Sequence, residues 1–186
     1  MQGVYRRPFP FTRSGFPFFM LSRIEPNSVA HVGRDKHAVD FLVPEGTPIC
    51  APRDGVVTEV KDDSDRGGAD RAFEHDANYI VIDHTSATFK VMGYSRLAWS
   101  DEELGGGHNP VIDEDEGQRS IIIHLAKGTA RVKVGDHVRA GQIIAMQGST
   151  GWTYAPHIHF AVYQNGTSVP IHFRSPIEVA GQLLLQ

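Results

Sequence analysis

One cysteine, Cys50, in 186 residues leaves no internal disulfide to form and no thiolate set for a metal cluster. Cys50 reads as a small core residue. A basic surplus is missing as well. The chain carries 18 Lys and Arg against 22 Asp and Glu, a formal net charge of −4, so nucleic acid is not expected as its main partner. No apolar run has the length of a membrane span. The best one near the start, Phe16 to Leu21, is broken by Pro17, is too short for a leader and has no small-residue cleavage site, so no export signal is expected. Internal repeats are absent too. What the chain has in quantity is histidine. Ten His beside a single Cys permit a metal site built from imidazoles and carboxylates.

Short apolar runs between turn signals predict an all-β barrel or sandwich with little helix. Strands are expected over Thr47–Cys50, Val56–Val60, Tyr79–His84, Ala87–Tyr94, Ser120–Leu125, Val132–Val134 and Gln142–Met146. The runs His157–Gln164 and Thr167–Ile171, joined by Asn165-Gly166, read as a hairpin. Ser175-Pro176-Ile177-Glu178 fits a capping box and predicts a short C-terminal helix. Residues 1–29, rich in Pro, Phe and Arg without period, are expected as an extended arm over one domain at 30–186. Two long surface loops are expected, Asp62–Ala77 and Ser95–Gln118. They hold 13 of the 22 acidic residues and 3 of the 18 basic ones, so the remaining body is mildly basic. Such loops read as solvated insertions, or as walls of a cleft that attract a cationic group.

His157-Ile158-His159 is the sharpest local pattern. On a strand, residues two apart share a face, so the two imidazoles project together. Asp40 lies in the apolar run Ala38-Val39-Asp40-Phe41 and needs a partner, because a buried unpaired carboxylate is costly. Two histidines lie upstream. His37, at an odd step, would face away from Asp40 on a continuous strand, whereas His31 precedes a loop that can fold back. His124 ends the run Ile121-Ile122-Ile123 and reads either as a core residue or as a site residue at a strand end. His84 ends a strand, and His75, His108, His137 and His172 fall in loops or at turns.

Taken in order, these elements resemble the lysostaphin-type zinc endopeptidases of bacterial cell walls, also called the glycyl-glycine or β-lytic metallopeptidases. The resemblance spans roughly residues 30–173. It runs through Ala38-Val39-Asp40-Phe41, Pro44-Glu45-Gly46-Thr47-Pro48-Ile49, Asp54-Gly55-Val56-Val57 and Asn78-Tyr79-Ile80-Val81-Ile82-Asp83-His84. It continues in His124-Leu125, Val134-Gly135-Asp136-His137-Val138, Ala140-Gly141-Gln142, Gly148-Ser149-Thr150-Gly151 and Pro156-His157-Ile158-His159-Phe160. The resemblance implies an antiparallel barrel-sandwich hybrid, the duplicated hybrid motif. It implies one Zn²⁺ held by His31, Asp40 and His159, with His37 in reserve for His31, and catalytic roles for His124 and His157. The usual His-x-x-x-Asp spacing would fall on Lys36, so His31 matches a variant with a longer gap. A Tyr and a Gly common in the family are replaced by Ile122 and Ala155. The implied substrate is a peptidoglycan peptide.

The chemistry suits these residues. Three protein ligands leave zinc an open position for water, and imidazoles titrate near neutrality. One of His124 and His157 would take the water proton, while the other stabilises the oxyanion or protonates the amine. No His-Glu-x-x-His helix is present. Two rival readings follow from the same residues. Relatives that have lost zinc ligands act as binding or activating modules. Val134–Val138 with Gly141-Gln142 also resembles the half-barrel of biotinyl, lipoyl and sugar-phosphotransfer domains, although no Lys lies between Met146 and Gln186 to carry a cofactor.

Overall fold

Ile121, Ile122 and Ile123 are all 5% exposed or less, because the strand that carries them is buried on both faces of a sheet. The structure is a computed structural model that describes residues 4–9, 31–85 and 117–173. The run Ala87–Tyr94, most of the loop Ser95–Gln118 and the C-terminal helix expected after Ser175 lie outside the described residues.

In chain order the strands are β1 (Val4–Tyr5), β2 (Val39–Leu42), β3 (Pro48–Cys50), β4 (Gly55–Lys61), β5 (Gly67–Gly68), β6 (Tyr79–Asp83) and β7 (Arg119–Ile123). They continue as β8 (His137–Val138), β9 (Ile143–Met146), β10 (Gly151–Trp152), β11 (His157–Gln164), β12 (Thr167–Ser168) and β13 (His172–Phe173). The main sheet is antiparallel, in the order β12-β11-β7-β6-β4-β8, and β2 also pairs with β11. Among the described residues only two short 3-10 helices interrupt the strands, Gly33–Asp35 and Arg71–Asp76. The fold is all-β.

Alternation along the strands divides the sheet into two faces. Phe41, Ile80, Ile82, Ile122, Ile158, Phe160 and Val162 point into the larger core. There they meet Ile49, Ile144 and Ala145 from the β3–β9 pair, which forms the second layer, and Ala51 just after β3. Tyr79, Val81, Ile121, Ile123, Ala161 and Tyr163 occupy the other face. Residues 4–9 lie against the domain: β1 pairs with β13, and Tyr5 is 1% exposed beside Phe160. The Asn165-Gly166 turn has both residues at positive φ (52° and 70°), the geometry a two-residue hairpin requires.

Two expectations need correction. Val132–Val134 forms no strand. Arg131 N–H donates to the Ile144 carbonyl at 2.7 Å, but the chain then turns at Gly135 (φ 92°) before a ladder develops. The segment Asp62–Ala77 is not a plain surface loop either. It carries β5 and the second 3-10 helix, and β5 pairs in parallel with β10. Gly67 is required there, since a Cβ would stand 2.9 Å from Thr150 Cα. Five of its six acids make contacts within the fold. The Asp62 carboxylate accepts from Thr129 and Ala130 N–H, and Asp70 caps the 3-10 helix through Ala72 N–H. Asp65, Glu74 and Asp76 pair with Lys127, Arg71 and Arg66. Three of the segment's six acids are thus ion-paired, and two more accept from backbone N–H groups.

His84 stands at the end of β6 away from the His-x-His motif and faces the larger core. The Asp54 carbonyl can only accept, so Nδ1–H donates to it at 2.8 Å. Nε2 then accepts from the Ser120 hydroxyl at 2.7 Å. Burial pushes the His84 imidazole down to about 4. The unfolded chain, with a His near 6.5, binds more protons between these values, so stability falls as pH drops from about 6.5 toward 4. About 2 kcal/mol is expected to go between pH 7 and pH 5 through this group. Urea unfolding of the wild type and His84→Gln at both pH values checks it. The same pH dependence in the two proteins would remove His84 from the account.

Candidate metal centre

Register places the site. Asp40 on β2 pairs directly with His159 on β11, which pairs with Ile123 on β7, which pairs with Tyr79 on β6. Side chains in one cross-strand row share a face, so the carboxylate and the imidazole meet at the end of the sheet beside an apolar floor. His159 Nδ1 lies 3.0 Å from Asp40 Oδ1. His157, two residues earlier, shares this face, and its Nε2 is 3.7 Å from the same oxygen.

His31 reaches the site through its loop. The 3-10 turn Gly33–Asp35 reverses the chain, with Gly33 at φ 56°. Asp35, 2% exposed, locks the turn: its carboxylate accepts from the Tyr163 hydroxyl and its carbonyl from Ala38 N–H at 2.8 Å. His31 Nε2 is thereby brought to 3.2 Å from Asp40 Oδ2. One ligand atom each from His31, Asp40 and His159 then lies within 4.8 Å of the others, and all three residues are buried. His37 is not in this group. Its N–H donates to Ser168 Oγ at 3.0 Å, on the far side of β2's start.

The donor set fits a zinc ion. Two imidazoles and one carboxylate are zinc ligands by type and by number for a site that keeps an open position. One feature of the protein alone calls for such an ion. His31 Nε2 is buried 3.2 Å from Asp40 Oδ2, in ion-pair contact but outside hydrogen-bond geometry among the described residues, an atom that a metal ion would satisfy.

The other two sequence-selected histidines stand next to the trio. Strand alternation would send His124 into the larger core with Ile122. Instead its backbone adopts φ 68°, and the ring turns to the site face, 4.5 Å between centroids from His157. A left-handed backbone at a non-glycine residue costs on the order of 1 kcal/mol and clusters at functional sites. His124 Nδ1–H donates to the Thr150 carbonyl at 2.7 Å. His157 Nδ1–H donates to the Ala155 carbonyl at 2.9 Å, with Thr153 Oγ1 at 3.1 Å. Both rings are thus held in the tautomer whose Nε2 is a free acceptor.

Charge and burial act on the group together. Burial opposes ionisation of Asp40, but the hydrogen bond from His159 and the neighbouring imidazoles outweigh it and hold the carboxyl well below its ordinary range. His159 is raised: burial works against its charge, and Asp40 more than compensates. Burial lowers His157, and burial with the adjacent His157 and His159 brings His124 down to about 3.

Sequence reasoning named the five ionisable groups and missed their supports. Thr150 and Thr153 orient His124 and His157. Gly148-Ser149-Thr150-Gly151 signalled a turn but not that one of its carbonyls would face a ring. Ile122, which stands where the family has a Tyr, is 0% exposed on the core face and lies away from the site.

Residues 96–171 match the model of a protein family described as Peptidase family M23. Glycyl-glycine endopeptidase ALE-1 of Staphylococcus capitis is 31% identical over 137 residues, which covers 73% of this chain and 26% of that protein. Lysostaphin of Staphylococcus simulans is 46% identical over 71 residues, 38% of this chain and 14% of that protein. A zinc containing peptidase from Vibrio cholerae, of known structure, superposes with a TM-score of 0.49 at 22% identity, over 90% of this chain and 39% of that one. The chain spans about a quarter or less of the length of these two curated relatives. With the family match and the two curated relatives, the chain carries a peptidase family M23 domain.

Proposed function

We propose that the chain is a zinc-dependent endopeptidase that hydrolyses peptide bonds of bacterial cell-wall peptidoglycan, with His31, Asp40 and His159 as metal ligands and His124 and His157 as catalytic residues. The observation that carries this reading is the joint geometry. Three ligand atoms lie within 4.8 Å of one another, and two further imidazoles are fixed by carbonyls so that Nε2 accepts. The name glycyl-glycine endopeptidase, borne by a relative, agrees with a peptide substrate. A zinc-poor binding module would lack a ligand, and none of the three donors is missing.

When bound, zinc supplies Lewis acidity at the scissile carbonyl and lowers the pKa of a water from about 15.7 toward about 7. The protein's own contribution is proton handling. His157 and His124 present unprotonated Nε2 atoms to the site, so the pair can accept the proton that water loses as its oxygen bonds to the carbonyl carbon. Protonation makes Nε2 a donor, and the proton passes to the nitrogen as the C–N bond breaks. Asp40, 3.7 Å from His157 Nε2, favours the charged ring while it holds the proton.

Two measurements together test the reading. Purified protein is expected to contain one zinc per chain, and purified cell walls digested with it are expected to release fragments with new amino termini by mass spectrometry. Chelation should stop the digestion and added zinc restore it. Protein without zinc and with intact wall peptides would instead favour the zinc-poor module, and stoichiometric zinc with intact peptides would overturn the endopeptidase reading.

A further inference from the structure

Gln147 is fully buried and lies outside the metal ligands and the two catalytic histidines. Its position is unusual. β7 and β11 are paired as far as Ile123 opposite His159. At His124 the left-handed backbone takes the chain out of the ladder, and Leu125 forms a bridge with Gln147 instead of with β11. The two strands that carry His124 and His157 therefore lose their direct backbone hydrogen bonds at the point where the two rings must be held together.

The Gln147 side chain spans that gap. Its Nε2 donates to the carbonyls of His124 at 3.2 Å and Gly148 at 2.9 Å, and to the carbonyl of His157 by a short bond. Two amide hydrogens are shared among three carbonyls. The amide orientation follows from this, because Oε1 in the same place would face three acceptors. Oε1 itself has no partner among the described residues, so one polar atom is left unsatisfied while three carbonyls are tied together. The residue's own backbone is fixed independently: Gln147 N–H donates to the Thr47 carbonyl, and its carbonyl accepts from Gly46 N–H, both at 2.8 Å. The amide is thus a rigid post anchored in the second layer.

We infer that Gln147 is a positioning residue: its amide sets the separation of His124 and His157 where the strand ladder between them has ended. The inference rests on the catalytic reading of those two rings. Its geometric part stands without that reading. The hydrogen bonds of the amide go to the carbonyls of His124, Gly148 and His157 and to no side chain of His31, Asp40 or His159.

Gln147→Met keeps the volume and removes both donors, and Gln147→Glu puts a carboxylate against three carbonyls. The measured quantity is peptide hydrolysis per bound zinc. Turnover per zinc is expected to fall about 10²-fold in Gln147→Met, the scale of a misplacement near 1 Å, with KM within about twofold and zinc affinity unchanged. Gln147→Glu is expected to fall further. A variant that merely unfolds loses zinc and activity together. An unchanged rate per zinc, or no folded protein in either variant, would make Gln147 a packing residue and overturn the inference. A crystal structure of Gln147→Met should show the His124 and His157 rings further apart than 4.5 Å between centroids, with the Thr47 backbone pair intact. That readout separates the two ideas. If the wild type cleaves no peptide, the functional reading fails while the ring separation still decides the role of Gln147; unchanged rings overturn it.

Discussion

Asp40→Ala is expected to empty the metal centre. Asp40 is the one carboxylate of the trio, and its two oxygens face three imidazoles: Oδ1 lies 3.0 Å from His159 and 3.7 Å from His157, and Oδ2 lies 3.2 Å from His31. Without it a zinc ion there would have two neutral imidazoles and no anionic donor. Loss of a group that only orients a ligand costs about 10–100-fold in metal affinity, so removal of a ligand itself should exceed that range. The metal-free chain should suffer as well. Breaking a buried pair by deleting one partner costs about 3–5 kcal/mol, and here the deleted group is the counter-charge to a buried His159. The expected result is zinc content near zero after dialysis and a clear fall in the urea midpoint. Asp40→Asn separates the two effects, since it keeps the volume and one acceptor oxygen while weakening the metal. Retention of full zinc by Asp40→Ala would remove Asp40 from the ligand set.

His157→Ala should do the opposite: lose turnover and keep the metal. His157 lies on the site face, but the candidate trio of His31, Asp40 and His159 is complete without it. General acid–base catalysis contributes about 10²–10⁴-fold, and a loss in that range is expected with zinc per chain unchanged. His124→Ala should behave alike. The double variant should cost little more than either single one, because residues that act as a unit are not additive. Zinc analysis and hydrolysis of one defined peptide, run on all three variants, check this. Metal loss on removal of His157 would show that it coordinates, and the division of roles would then be wrong.

The site was legible in the sequence to the extent that it obeys strand alternation. His157 and His159 share a face because they are two apart on β11, and Asp40 announced itself as an acid in an apolar run. His124 was open for a physical reason. Alternation puts it with Ile122 in the core, and only a positive φ, which no periodicity reports, turns it to the site. His31 is joined to Asp40 by a loop whose closure depends on Asp35 meeting Tyr163, a contact 128 positions apart in the chain. The main strands were legible from their Ile and Val runs. β5 was not, since Gly67-Gly68 has no strand propensity and pairs only because another backbone lies close by. Val132–Val134 failed the other way: strand formers with no ladder to join.

That close approach of two backbones has a consequence for the segment 62–77. Gly67 abuts Ser149 and Thr150, and the Thr150 carbonyl is the acceptor that holds His124 Nδ1–H. Any side chain at position 67 would press on that peptide and swing the acceptor away from the ring. The segment is tied to the 149–153 stretch at several backbone positions, with Arg66 and Gly68 carbonyls accepting from Gly151 and Thr153 N–H, and at Gly67 that contact bears on the orientation of His124.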